Sequence, residues 1–272
     1  MSNVEGTVKK ATPRIGIFVI NYNAVNLLTK TIERIPADVY DKVEEIFVID
    51  DCSTDNSYYA ALGYKHEKNI EKLTVHVNEK NQGYGGNQKV GYQYAIDKGF
   101  DIVALLHGDG QYAPEILGDL LQPLIDDEAD MVFGSRMSVP NRALSGGMPL
   151  YKYVGNKILT GIQNKFSGQK LSEYHSGYRL YSTAALKKIP FQSFTNTWHF
   201  DTQIILALAE RGMRIVEKPI PTYYGDEICH VNGMAYAWHC ITTTYKYYRN
   251  RKRGIFTYPG STDVPKISSE NK

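Results

Sequence analysis

The run Ile102-Val103-Ala104-Leu105-Leu106-His107-Gly108-Asp109-Gly110-Gln111-Tyr112-Ala113-Pro114-Glu115 decides how this chain is built. Five apolar residues in a row, bounded by Gly99 upstream and Gly108 downstream, read as a strand buried on both faces, as in a parallel sheet. The strand stops in a turn that carries an imidazole, a carboxylate and a carboxamide at alternate positions. Gly108 and Gly110 between them let backbone approach a ligand closely. Pro114 and Glu115 suit the first turn of a following helix. Such donors at the carboxyl end of a buried strand suit Mg2+ or Mn2+ held against a diphosphate. An ordinary strand–turn–helix corner is the plain alternative.

The surrounding sequence repeats the pattern. Ile15–Ile20 is a buried strand running into Asn21-Tyr22-Asn23, and Leu27, Leu28, Ile32 and Ile35 then recur at helical spacing up to Pro36. Ile46–Ile49 runs into Asp50-Asp51-Cys52-Ser53-Thr54-Asp55. Leu73–Val77 leads to Asn81-Gln82-Gly83-Tyr84-Gly85-Gly86-Asn87, and the helix after it reaches Lys98 with Gly99 as its stop. Strands alternating with helices imply a parallel sheet with right-handed crossovers. All four polar clusters then lie along one carboxyl edge, where open α/β sheets bind ligands.

Further on, Met131–Phe133 is a strand ending in Gly134-Ser135-Arg136, and 141–147 reads as a loop. Tyr151–Phe166 is a helix, and Ser172–Arg179 is a turn into a short strand. Trp198-His199-Phe200-Asp201 precedes a helix stopped at Gly212, and Arg214–Pro219 is a strand. Beyond Tyr223 aromatic and basic residues dominate, as in a packed covering helix, and residues 246–253 hold five cations in eight positions. Residues 1–13 and 254–272 read as flexible tails.

Bulk composition narrows the class. The 272 residues are 42% hydrophobic and 22% charged, as in a folded soluble protein. A net charge of +2 argues against a dedicated nucleic-acid binder. Cys52, Cys229 and Cys240 lack metal-ligand spacing and fit a reducing cytoplasm. No leader-type apolar core occupies the first ten residues, and no apolar run approaches the roughly 20 residues of a membrane span.

Asp50 and Asp51 sit where a carboxylate accepts from a base imide or a ribose hydroxyl, or where a helix-capping turn needs none. The Gly83–Gly86 loop offers N–H groups to a phosphate, or is a plain turn; its spacing is not the dinucleotide fingerprint. The ordered set Val19–Asn23, Val48–Asp55, Asn81–Asn87 and Gly108-Asp109-Gly110-Gln111 resembles family 2 glycosyltransferases of the GT-A fold. Gly134-Ser135-Arg136 and Ser176-Gly177-Tyr178-Arg179 resemble, more narrowly, the dolichyl-phosphate mannosyltransferase and polyprenyl-phosphate glycosyltransferase branch.

That resemblance implies an α/β GT-A domain over 14–225, a Rossmann-like mostly parallel sheet flanked by helices, with an aromatic and basic helical extension over 226–253. It implies an inverting enzyme that moves a sugar from a UDP- or GDP-linked donor to a saccharide or polyprenyl-phosphate acceptor, as in cell-envelope polysaccharide assembly. Asn21, Tyr22, Asn23, Asp50, Asp51, Gly83, Gly85, Gly86, Gly108 and Asp109 would contact the nucleotide. Asp109 and Gln111 would hold the metal. His107 replaces the first carboxylate of the family's Asp-x-Asp motif and favours Mn2+ over Mg2+. The same replacement motivates the alternative, a catalytically impaired nucleotide-sugar-binding module.

Asp201 and Glu173 are the candidate general bases if the acceptor is a hydroxyl. A lipid phosphate is already anionic and needs cations instead. Arg136, Arg142, Ser176, Arg179 and Trp198 are the candidate acceptor contacts, while His175, His199 and His230 read as packing or loop residues. The cationic stretch 246–253 suggests peripheral contact with the cytoplasmic membrane face.

Overall fold

The computed structural model describes residues 12–222 and 233–253. Most of the two expected tails, with Cys229 and His230, lies outside them. The chain runs β1 (Ile15–Asn21), α1 (Leu28–Glu33), α2 (Ala37–Lys42), β2 (Glu45–Asp50), α3 (Ser57–Glu67), β3 (Leu73–Val77), α4 (Tyr84–Asp97) and β4 (Ile102–His107). It continues through α5 (Leu117–Ile125), β5 (Met131–Ser135), α6 (Arg142–Ser145), α7 (Leu150–Ser167), β6 (Arg179–Ser182), α8 (Thr183–Leu186), α9 (Phe200–Glu210), β7 (Ile215–Pro219) and α10 (Gly233–Lys252).

The strands form one seven-stranded sheet in the order β3-β2-β1-β4-β6-β5-β7. Every residue of β1 and β2 is buried, which is why their sequences are apolar without alternation. The pleat sends Ile17, Val19, Ile46, Val48, Ala104 and Leu106 to one face, against α1, α2, α3 and α5. It sends Phe18, Phe47, Ile49, Val103 and Leu105 to the other, where the layer includes Val90 of α4, Leu186 of α8 and Ile204 of α9. Helices α4 and α9 end where expected, with Gly99 and Gly212 at positive φ.

Two expectations change. The 141–147 loop contains the short helix α6. More importantly, β6 runs antiparallel to both β4 and β5. Its pairing has Leu105 opposite Arg179, and continuing that register sets Gly177 opposite His107. A parallel β6 would send residues 172–178 to the opposite edge; the reversal delivers them beside the turns that follow β1 to β5.

Candidate active site

Asn21, Asp50 and Asp51 stand at the ends of adjacent strands, with Asn21 paired to Asp50 across the β1–β2 ladder. Asp50 is buried and accepts from Asn21 Nδ2 at 2.6 Å, Ser53 N at 2.8 Å and Ser53 Oγ at 2.6 Å. Asp51 accepts from Asn78 Nδ2 at 2.7 Å, Gln82 N at 2.8 Å and Gly83 N at 3.0 Å. Burial raises the pKa of Asp51 against those three donors. Asn23 Oδ1 accepts from Thr54 N at 2.8 Å and ties the first two loops together. These groups shape one half of the carboxyl edge, and most of their polar capacity goes into holding one loop on another. Tyr22 projects outward, half exposed, at the same rim. Asn21 Oδ1 is buried with no hydrogen-bond partner among the described residues.

The glycine loop does not offer its N–H groups to a ligand, contrary to expectation. Gly83 N donates to Asp51 and to Asn81 Oδ1, while Gly85 N and Gly86 N both donate to the carbonyl of Asn196. The small residues serve close packing. A Cβ on Gly85 would lie 2.7 Å from Phe200 Cβ and 2.7 Å from the Thr195 carbonyl oxygen. The loop is therefore a seat for the 194–201 segment. Lys89, fully buried on the same helix, reinforces it by donating to the Phe194 carbonyl and to Asn196 Oδ1 at 2.7 Å. Burial lowers the Lys89 pKa to about 8.

That seating brings Asp201 to the centre. Tyr84 donates its hydroxyl to Asp201 Oδ2 at 3.1 Å, and Gln88 Nε2 donates to Oδ1 at 3.1 Å. Tyr92 donates to Gln88 Oε1 at 2.7 Å, which fixes the amide's orientation. Arg179 Nε lies 3.5 Å from Asp201 Oδ2. Arg179 is itself fully buried, and its donors go to backbone carbonyls, Nε to Ser176, Nη1 to Asp201 and Nη2 to Tyr174, so its tie to the Asp201 carboxylate is one of charge. Burial alone would lower the Arg179 pKa; the Asp201 carboxylate more than reverses that, so the guanidinium stays charged. Arg179 thus supports Asp201 from beneath and does not reach an acceptor.

Glu173 is corrected in the same way. It is fully buried, and Arg136 donates to it from its backbone N at 2.9 Å and from Nε at 3.1 Å, with Nη2 closing a second contact. Asn156 of α7 adds a bond of 2.8 Å. Burial would raise the Glu173 pKa, but the Arg136 charge and these bonds hold it below the usual carboxylate value. A carboxylate so enclosed is a brace between the β5 turn and the 172–176 segment, not a proton acceptor. Arg136 is the other half of that brace and also donates to the His175 carbonyl. Ser176 is buried. Arg142 on α6 and Trp198 beside α9 are the two acceptor candidates left at the surface.

His107 sits between the two halves. Its Nε2 lies 3.3 Å from the Gly177 carbonyl and 3.5 Å from the Tyr84 hydroxyl, and its ring packs edge-on to Tyr112 at 4.9 Å. A carbonyl only accepts, so that contact puts the ring proton on Nε2 and leaves the lone pair on Nδ1. Burial lowers the His107 pKa, which keeps the imidazole neutral. Gly177 is needed opposite it, since a Cβ there would lie 2.7 Å from Nε2. Asp109 and Gln111 lie at the open lip of the turn, with Gln111 N donating to Asp109 Oδ1 at 3.0 Å. Among the described residues no group of three or more His, Cys, Asp or Glu side chains is arranged to hold a metal ion. One carboxylate and one carboxamide fit a hard cation whose other ligands arrive with a diphosphate.

Tyr84 is the residue that sequence reasoning missed. Its hydroxyl touches both His107 and Asp201, and its ring stacks on Trp198 at 4.6 Å. Its place inside the glycine loop was the available signal. Nothing in the sequence marked Gln88 or Lys89, which fall within an ordinary helix.

A Rossmann-like sheet with one reversed strand, and acidic turns gathered on its carboxyl edge, is the GT-A architecture of nucleotide-sugar glycosyltransferases. The chain belongs to glycosyl transferase family 2, whose sequence model matches residues 16–190, and it is a glycosyltransferase. It is 29% identical over 228 residues to the UDP-N-acetylglucosamine–dolichyl-phosphate N-acetylglucosaminyltransferase of Methanococcus voltae, covering 78% of this chain and 86% of that one. It is 27% identical over 214 residues to the undecaprenyl-phosphate mannosyltransferase of Micrococcus luteus, covering 76% and 82%. Among solved structures, the mannosyl-3-phosphoglycerate synthase of Rubrobacter xylanophilus superposes with a TM-score of 0.65 at 13% identity, covering 92% of this chain and 78% of that one. The glucosyl-3-phosphoglycerate synthase of Mycobacterium tuberculosis, solved with Mn2+, UDP and phosphoglyceric acid, gives 0.62 at 14% identity, covering 93% and 89%. At these identities the two structures bear on the fold alone.

Proposed function

We propose that the protein transfers a sugar, with inversion, from a UDP- or GDP-linked donor to a polyprenyl phosphate at the cytoplasmic membrane face. The observation that carries the acceptor assignment is the state of the two candidate bases. Glu173 is closed off by Arg136, and each Asp201 oxygen already accepts a hydrogen bond, Oδ1 from Gln88 and Oδ2 from Tyr84, with the Arg179 charge 3.5 Å away. A hydroxyl acceptor needs a base within reach of its proton, whereas a phosphate arrives without one to lose. The names of the Methanococcus and Micrococcus relatives support the same reading.

In this reaction a lipid phosphate oxygen attacks the anomeric carbon from the face opposite the leaving group. The bond from that carbon to the donor diphosphate breaks, its electron pair leaves with the nucleoside diphosphate, and no proton moves. Asp109 and Gln111 would hold a divalent cation, Mn2+ or Mg2+, which offsets the negative charge of the diphosphate. Tyr22, Asn21 and Asn23 line the nucleoside end. Tyr84 and Asp201 set the floor beneath the sugar, with Trp198 as its wall. Arg142, on the exposed helix α6, is the cation for the incoming phosphate, and residues 246–253 draw the enzyme to anionic lipid.

The test supplies labelled UDP- and GDP-sugars with either a polyprenyl phosphate or the corresponding free polyprenol. Lipid-linked product from the phosphate only is expected. Transfer to the free alcohol at a comparable rate refutes the assignment, and donor binding without transfer to either points to the impaired binding module.

A further inference from the structure

Helix α7 is inverted relative to an ordinary surface helix. Of its four buried positions, Leu159, Thr160, Gln163 and Ser167, only the first is apolar, while Leu150, Tyr151, Val154 and Ile158 face outward. These four recur at one-turn spacing, so they form one stripe, and Tyr151 is 73% and Ile158 60% exposed. Helix α10 repeats the arrangement, burying Cys240 and Thr244 and leaving Met234 86% and Trp238 66% exposed. The two helices pack side by side. Phe166 near the end of α7 touches Tyr245 and Tyr248 of α10, and Arg251 donates to the Ser167 carbonyl. With their C-terminal ends together the helices run parallel, so the outward apolar residues of both fall in their N-terminal and middle turns.

We infer that the outer faces of α7 and α10 together dock on an anionic lipid bilayer. Charge argues for lipid over a second copy of the chain. Neither helix contains an Asp or Glu, while α7 carries three lysines and α10 four Lys or Arg, so apposing two copies sets like charges against each other. Apolar side chains flanked only by cations, with Tyr and Trp among them, match the acyl boundary and the anionic headgroups above it. The inference deepens the proposed function and rests on it for its purpose. Asn156 of α7 bonds Glu173, Tyr236 of α10 lies 2.9 Å from His175 Nδ1, and His239 stacks on His199 beside Asp201. The docked face therefore adjoins the acceptor half of the cleft, where a lipid phosphate at the bilayer surface would enter. It also extends well beyond residues 246–253, and its apolar stripe gives binding that salt alone does not remove.

The test is flotation of the full-length protein with vesicles of phosphatidylcholine, with and without phosphatidylglycerol. The wild type should bind the anionic vesicles and keep part of that binding at high salt. The double variant Val154→Glu/Ile158→Glu should lose about tenfold or more in partitioning, with unchanged thermal stability. Tyr59→Glu, at an exposed aromatic on α3, should lose nothing. Unchanged binding by the double variant, or none by the wild type, overturns the inference; so does sedimentation showing that the double variant converts a dimer to a monomer. Turnover on a short-chain, water-soluble polyprenyl phosphate should be equal in wild type and double variant. If the wild type binds vesicles but fails on that substrate, the proposed function falls and the docking face stands.

Discussion

The Arg179–Asp201 pair offers the sharpest test of how the site is held. At 3.5 Å and an effective dielectric of about 20, the attraction is about 5 kcal/mol before desolvation is counted. Removing one partner from such a buried pair costs about 3–5 kcal/mol, because the other charge is left uncompensated. Asp201→Asn keeps acceptor and shape but strands the guanidinium, which retains its three carbonyl partners. Arg179→Met strands the carboxylate, which retains Tyr84 and Gln88. Each single variant should lose about 3 kcal/mol in urea unfolding, and the double variant clearly less than the sum. The expected coupling is about 2 kcal/mol or more. Additivity within about 0.5 kcal/mol would refute the claim that the pair acts as a unit. The same proteins separate support from catalysis. Corrected for folded fraction, Asp201→Asn should keep turnover within about tenfold, whereas loss of a general base costs about a hundredfold to ten-thousandfold.

Gly85→Ala retains its N–H but brings a methyl to 2.7 Å from Phe200 Cβ, so it should cost about 1–3 kcal/mol in thermal unfolding. Unchanged stability with weakened donor binding would restore the phosphate-cradle reading. His107→Asp should leave the Mn2+/Mg2+ preference of donor binding untouched, since the ring is packed among Gly177, Tyr84 and Tyr112, while Asp109→Ala should abolish metal-dependent binding in calorimetry. A gain in Mg2+ use by His107→Asp would show that the position faces the metal. His175 is held near pKa 4, against about 6.5 when unfolded, chiefly by burial. The unfolded chain therefore binds more protons between those values, and stability present above pH 6.5 is lost as pH falls towards 4, by up to about 3 kcal/mol for this residue. His175→Gln should flatten that part of the stability–pH curve relative to wild type, and an identical slope would sink the argument.

The sequence by itself determined the sheet, its first four strands and the edge that carries their polar turns. Those depend on local properties: unbroken apolar runs such as Ile102–Leu106, helix stops such as Gly99 and Gly212, and polar turns that follow strands. It also pointed to the segments that meet at that edge, because turns after buried strands share one edge whatever their side chains do. What each side chain faces was decided only in three dimensions. The reversal of β6 sets Gly177 against His107 and carries Glu173 and Arg179 to the carboxyl edge, and no local signal encodes strand direction. Glu173, Arg179 and the Gly83–Gly86 amides all looked like ligand groups because a charged or exposed-backbone residue reads the same whether its partner is substrate or protein. Desolvation makes the choice: once buried, each of these groups had to be satisfied from within the chain, by Arg136, Asp201, Asp51 and Asn196, residues far away in sequence.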